Sequence, residues 1–187
     1  MNASTVSPLL PFYLGTSGDH KQRTLEFILS NDDMWLEREH DYIQWLFPIS
    51  ETSEHNPQAP LIDAEVIAAF KQDERLRLSQ RRAFARMAQF YGFTVIEDED
   101  EHGKPEIFLS RAPHFERSKT RWISANNHNY KRITRMLKSL SLLSSPHHAQ
   151  GLGNALALLG REFGGRMGVQ TLAIWQASAF GRARPVT

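Results

Sequence analysis

From Leu25 onward, apolar residues return every three to four positions over most of the chain. That is the period of amphipathic helices rather than the alternation of strands. Caps and stops divide the pattern. A first helix is predicted over 21–29, with Asp19 as its cap. Ser30, Asn31, Asp32 and Asp33 offer caps for a second, which runs to Phe47 and is stopped by Pro48. Asp63 caps a short helix through Phe70, and Asp73 a long one through Tyr91, ended by Gly92. A short helix is placed over 113–122. Asn126 or Asn127 caps a helix reaching about residue 143. Ser145 and Pro146 open another, ending near Gly164 and Gly165, and a last helix covers about 169–180 before Gly181.

Thr94-Val95-Ile96 and Ile107-Phe108-Leu109 flank an acidic stretch and the turn residues His102-Gly103. A small hairpin and an extended loop fit this segment equally well. The predicted fold class is mostly α: a compact multi-helix domain with at most one small β-hairpin near residues 94–110. Residues 1–10 are expected to be a frayed start and 11–165 the helical domain. Residues 166–181 are expected to form a C-terminal helix packed on that domain, and 182–187 a flexible tail.

Helix faces refine this. In the run His40-Asp41-Tyr42-Ile43-Gln44-Trp45-Leu46-Phe47-Pro48, a helix turning about 100° per residue puts Leu36, His40, Ile43 and Phe47 on one stripe. Trp35, Tyr42 and Leu46 form a neighbouring stripe, and Trp45 points roughly opposite the first. Burial of nearly every face makes this a core segment; a functional reading makes Asp41 and Gln44 polar contacts at a groove beside Trp45. On 73–91, Leu76, Ala83, Met87 and Phe90 face inward while Arg75, Arg82 and Arg86 line a flank. Between Asn127 and Leu143, Tyr130, Ile133, Met136, Leu137 and Leu140 form the buried face. His128, Lys131, Arg135 and Lys138 share another, with Arg132 at its edge. No acid lies on that face, so it is a candidate for an anionic partner as well as for a solvated surface. Leu36, Ile43, Phe47, Leu76, Met87, Tyr130, Ile133 and Leu137 are the expected core.

Composition narrows the classes. The 187 residues suffice for one domain with a real core. A formal net charge of +1 gives no global attraction to nucleic acid or anionic membrane, so such binding would need a local patch. Cysteine is absent, which excludes disulfides and thiol catalysis and fits a reducing compartment. The first residues lack the basic opening of a secretory signal, and no apolar run is long enough to cross a bilayer. The expected compartment is the cytosol.

The run 40–48 resembles the signature of the opioid growth factor receptor conserved domain. Other stretches agree in order: Phe12-Tyr13 with Gly15; Leu25, Ile28 and Leu29; Asn56 and Ala59-Pro60; and Met87, Phe90, Tyr91 and Gly92. A second block comprises Asn127-His128-Asn129-Tyr130, Arg132-Ile133-Thr134-Arg135 and Lys138-Ser139-Leu140. The resemblance runs from about Pro11 to about Phe163. It implies an all-helical domain and, for the animal members, binding of an enkephalin peptide near or in the nucleus. Those members carry long repeat-rich or basic tails. The resemblance assigns no ligand-binding residue to any motif position.

Several chemistries fit poorly. Glu37-x-x-His40 has the spacing of half a di-iron site, but no second copy occurs. Asp98, Asp100 and Gly103 resemble a calcium loop that lacks its closing glutamate, with Leu109 at that place. Gly151-x-Gly153 is followed by Leu156 where a dinucleotide fingerprint needs a small residue, so these glycines suit close helix packing. No cofactor and no metal site is predicted. The reading favoured is a non-catalytic binding module for a peptide or protein. Its candidate contacts are Asp41, Gln44, Trp45, Asn127, His128, Lys131, Arg132, Arg135 and Lys138. The alternatives are a nucleic-acid-binding module using the basic flanks, and an enzyme assembled across helices from His40, Asp41, Asn126, Asn127 and His128.

Overall fold

Thr24, Asp32 and Asp63 each place a side-chain oxygen on the backbone N–H three residues further on, at 3.1, 2.8 and 2.8 Å, and each opens a helix. The computed structural model describes residues 7–53, 56–143 and 145–181. It is mostly helical with one antiparallel hairpin. The chain divides into two compact units, residues 1–83 and 84–187. The division falls inside α6 (Glu74–Phe90).

The first unit contains α1 (Leu9–Tyr13), α2 (Leu25–Ser30), α3 (Asp33–Arg38), α4 (Ile43–Leu46) and α5 (Ala64–Gln72). The start expected to be frayed is already helical at Leu9, which is buried; residues 1–6 of that start lie outside the described residues. The rings of Tyr13 and Phe70 meet edge to face at 5.0 Å, and those of Phe12 and Trp45 at 5.3 Å. Burial pushes the Tyr13 phenol well above its ordinary pKa, so its hydroxyl keeps its proton and donates to the Leu46 carbonyl at 2.6 Å.

Two helices differ from expectation. The first begins at Leu25, not residue 21, because Asp19 folds the chain differently. Its Oδ1 accepts the N–H groups of Lys21 and Arg23 at 2.8 and 3.0 Å, making a tight turn in which Gln22 has φ 61°. The second is broken. α3 ends at Arg38, Glu39 is extended, and α4 starts only at Ile43. His40 is therefore exposed instead of lying on an apolar stripe, while Leu36, Ile43 and Phe47 remain buried.

The second unit holds β1 (Phe93–Glu99), β2 (Pro105–Arg111), α7 (Phe115–Trp122), α8 (Asn129–Leu142), α9 (Pro146–Met167) and α10 (Val169–Phe180). The strands pair with Ile96 opposite Phe108 and Glu99 opposite Pro105. Asp100 closes their turn by accepting the N–H groups of His102 and Lys104 at 2.8 and 2.9 Å, and Gly103 supplies φ 72°. This turn occupies the acidic stretch that resembled a calcium loop.

α9 is the axis of the second unit and lies against α8, α10 and β2. Its glycines are the reason it can. A Cβ on Gly151 would sit 2.4 Å from the Ile107 carbonyl oxygen, and one on Gly153 would sit 2.5 Å from the Ala179 Cβ. The packing role read from the sequence is thus the observed one. The helix runs on past Gly164 and Gly165 to Met167, and Gly168, at φ 83°, is the actual break before α10. The predicted tail, 182–187, lies outside the described residues. All eight expected core residues are buried: Leu36, Ile43, Phe47 and Leu76 in the first unit, and Met87, Tyr130, Ile133 and Leu137 in the second.

Candidate binding surfaces

Asp41 sits in the bend between α3 and α4, where its carboxylate gathers partners from the turn built by Asp19. Arg23 donates to Oδ1 at 2.8 Å, Lys21 Nζ lies 2.7 Å from Oδ2, and His20 Nε2 lies 3.1 Å from the same Oδ2. Arg23 also binds the buried Asp19, its Nε donating at 2.7 Å. Partial burial works against the Asp41 carboxylate. Hydrogen bonds from Lys21 and Arg23, with their charges, outweigh it and hold its pKa down to about 2.

The Trp45 indole N–H donates to His20 Nδ1 at 3.1 Å. An indole can only donate, so Nδ1 accepts and the proton of neutral His20 resides on Nε2, facing Asp41. Both ring nitrogens are thereby committed, and neither is left as a base or a metal ligand. Gln44 points elsewhere: its amide donates to Ser53 Oγ at 3.1 Å and accepts from Asn56 at 2.6 Å, tethering the following loop. Gln44 and Trp45 are buried, and Asp41 is partly exposed. His20, Lys21 and Arg23 were missed from the sequence. Their only signal there was charge density near Asp19.

In the second unit, Asn127 organises the entry to α8. Its amide donates to the Arg121 carbonyl at 2.8 Å and Ser124 Oγ at 3.0 Å, and its oxygen accepts the Asn129 N–H at 3.0 Å. The helix itself starts one residue later than a cap at Asn127 requires, and His128 holds the cap position without a capping bond from its side chain. Asn126 is exposed in the left-handed region, at φ 56°. Asn129 is fully buried, and its oxygen receives both the Tyr91 hydroxyl and Arg132 Nη1 at 3.3 Å.

The basic face of α8 is narrower than its periodicity suggested. Lys131 is exposed, and Arg135 and Lys138 are half-buried. Arg132, expected at the edge of the stripe, is buried at 4% exposure. It follows Asn129 by three positions, so it turns inward with that residue and with Ile133 and Met136. On α6 the arginines are largely matched: Arg75 pairs with Asp73, Arg77 and Arg81 with Glu74, and Arg82 with Glu26.

A concave surface not foreseen from the sequence lies between α9 and α10. This cleft of about 290 Å³ has a floor of Leu156, Gly160, Leu172 and Trp175, with Ala173 and Arg161 at its rim. A Cβ on Gly160 would lie 3.0 Å from both Leu172 methyls, so only glycine lets the two helices close there without displacing that side chain. The Trp175 ring is held from behind, its N–H on Thr134 Oγ1 at 3.2 Å. Among the described residues, no group of three or more His, Cys, Asp or Glu could hold a metal ion. No described helix is long and apolar enough to cross a membrane.

Comparison with known proteins gives the chain a family. The chain is 37% identical over 113 residues to opioid growth factor receptor of Rattus norvegicus, covering 60% of this chain and 18% of that protein. It is 37% identical over 108 residues to opioid growth factor receptor-like protein 1 of Xenopus tropicalis, covering 58% and 19%. To the Homo sapiens opioid growth factor receptor it is 34% identical over 112 residues, covering 60% and 15%. The chain thus spans a small part of the length of these relatives. No solved structure matches it. The profile described as the opioid growth factor receptor (OGFr) conserved region matches residues 19–158, which takes in Asp19, the Asp41 network, the hairpin, α8 and most of α9, and the chain belongs to that family.

Proposed function

We propose that this chain is a non-catalytic binding module whose ligand is a peptide or protein, working in the cytosol. The carrying observation is how its polar and apolar groups are spent. The polar groups of the signature segment are tied to one another: Asp41 to Lys21 and Arg23, His20 to Trp45, Gln44 to Ser53 and Asn56. They brace the segment and are not presented as a reactive set. Large apolar side chains, in contrast, stand exposed on α9 and α10: Leu158, Val169, Ile174 and Phe180. Such surface binds by burial, as peptide and protein contacts do. The nucleic-acid reading draws less support, because Arg75, Arg77, Arg81 and Arg82 of α6 are matched by carboxylates and Arg132 is inside.

The relatives are named receptors for an opioid growth factor; that naming extends to this chain only as a probe to include. The test is a fluorescence-anisotropy screen of the purified chain. The panel holds a peptide library, enkephalin, and single- and double-stranded DNA and RNA at low salt. Saturable peptide binding supports the module. We expect no specific enkephalin binding. Steeply salt-dependent nucleic-acid binding without peptide binding overturns the reading. Fractionation of cells expressing a tagged chain tests the compartment.

A further inference from the structure

The cleft between α9 and α10 is the one concave surface described above that no structural network fills. Its floor, which includes the buried Trp175 ring, is apolar, and the exposed Val169 lies three residues before Leu172 on the same face of α10. α10 carries no charged residue. Glu162, next along α9, is engaged with Arg111. Arg161 at the rim is exposed, and makes no hydrogen bond or ion pair with a described residue. An apolar recess whose one guanidinium is engaged by no described residue is matched by an apolar group that carries a carboxylate.

We propose that this cleft is where the binding module holds its peptide: it takes one large apolar side chain, and Arg161 pairs with a carboxylate next to that side chain. This rests on the peptide-binding reading above and adds the site and the ligand chemistry to it. The volume of about 290 Å³ suits one aromatic or branched side chain better than a larger cofactor. The exposed Val169, on the Leu172 face of α10, favours a chain that continues along that helix over an isolated small molecule. The carboxylate is either a peptide C-terminus or an adjacent Asp or Glu side chain. Arg161 recognises the shared group in both.

The test is protein-observed NMR on the full ¹⁵N-labelled chain, with three probes: acetyl-Gly-Phe as the free acid, acetyl-Gly-Phe amide, and acetyl-Phe-Asp amide. At least one carboxylate probe is expected to shift the amides of α9 and α10 around Gly160 and Ala173 saturably. Acetyl-Gly-Phe amide is expected to bind about tenfold more weakly. Whichever acid binds identifies the source of the carboxylate. Arg161→Gln should reduce the acid to the affinity of the amide. Ala173→Trp should block every probe, with Ala173→Leu as the milder plug if the tryptophan lowers the melting temperature. Equal binding of acid and amide, shifts confined to other elements, or no effect of Arg161→Gln overturns the proposal. A wild-type dimer in sedimentation that Ala173→Trp converts to monomer also overturns it, because a second copy then occupies the face. Library peptides that bind wild type and both variants alike remove this site but leave the binding-module reading standing; a library without any binder removes both.

Discussion

The Tyr42 hydroxyl donates to the Leu36 carbonyl at 2.9 Å, across the break between α3 and α4. Tyr42 is fully buried, so the bond forms away from water. It satisfies a carbonyl at the end of α3 and holds the signature segment in its bent course. Tyr42→Phe keeps the ring and removes this buried hydrogen bond. Urea denaturation should show a loss of about 1–2 kcal/mol. An unchanged midpoint would mean that the break is held by ring packing alone.

Asp41 makes stability acid-sensitive in a defined window. Its folded pKa is depressed from 3.8 to about 2, so its contribution is complete above the unfolded value and disappears as pH falls from about 4 through about 2. Because Lys21 is half exposed, the contribution is discounted for screening to about 1 kcal/mol. Comparing wild type with Asp41→Asn by denaturation between pH 5 and 2 checks this. The two curves should converge at low pH, and parallel curves would contradict the pairing.

Two glycines on α9 should respond in opposite directions. Gly151→Ala drives a methyl into the Ile107 carbonyl oxygen and should cost about 1–3 kcal/mol. Gly165→Ala meets nothing within 4 Å in a helical stretch and should stabilise by about 0.5–1 kcal/mol. Thermal melts of the two variants read both signs.

The α8 cations should separate by burial. Arg132→Ala removes a buried donor from Asn129 and should cost about 2–3 kcal/mol. Lys131→Glu reverses an exposed charge and should leave stability within about 0.5 kcal/mol. If Arg132→Ala proves neutral in denaturant titration, the inward assignment fails.

What was legible in the sequence was local. Asp32 and Asp63 cap helices through hydrogen bonds that span three residues, Gly92 and Gly181 stop them with positive φ, and the expected core residues are all buried because helical period selects one face. The family was legible too, since the signature segment and the second block lie within the matched region. Helical period alone could not reveal that the chain leaves the helix over 39–42, because the cause is distant: Arg23 and Lys21 pull on Asp41, and Tyr42 reaches back to Leu36. The same limit applies to Arg132, whose inward turn depends on Asn129 being buried with Tyr91. The α9–α10 cleft was out of reach for the same reason. Its floor joins residues from two helices whose approach is set by Gly153 against Ala179 and Gly160 against Leu172, and a sequence records which residues are small but not which ones meet.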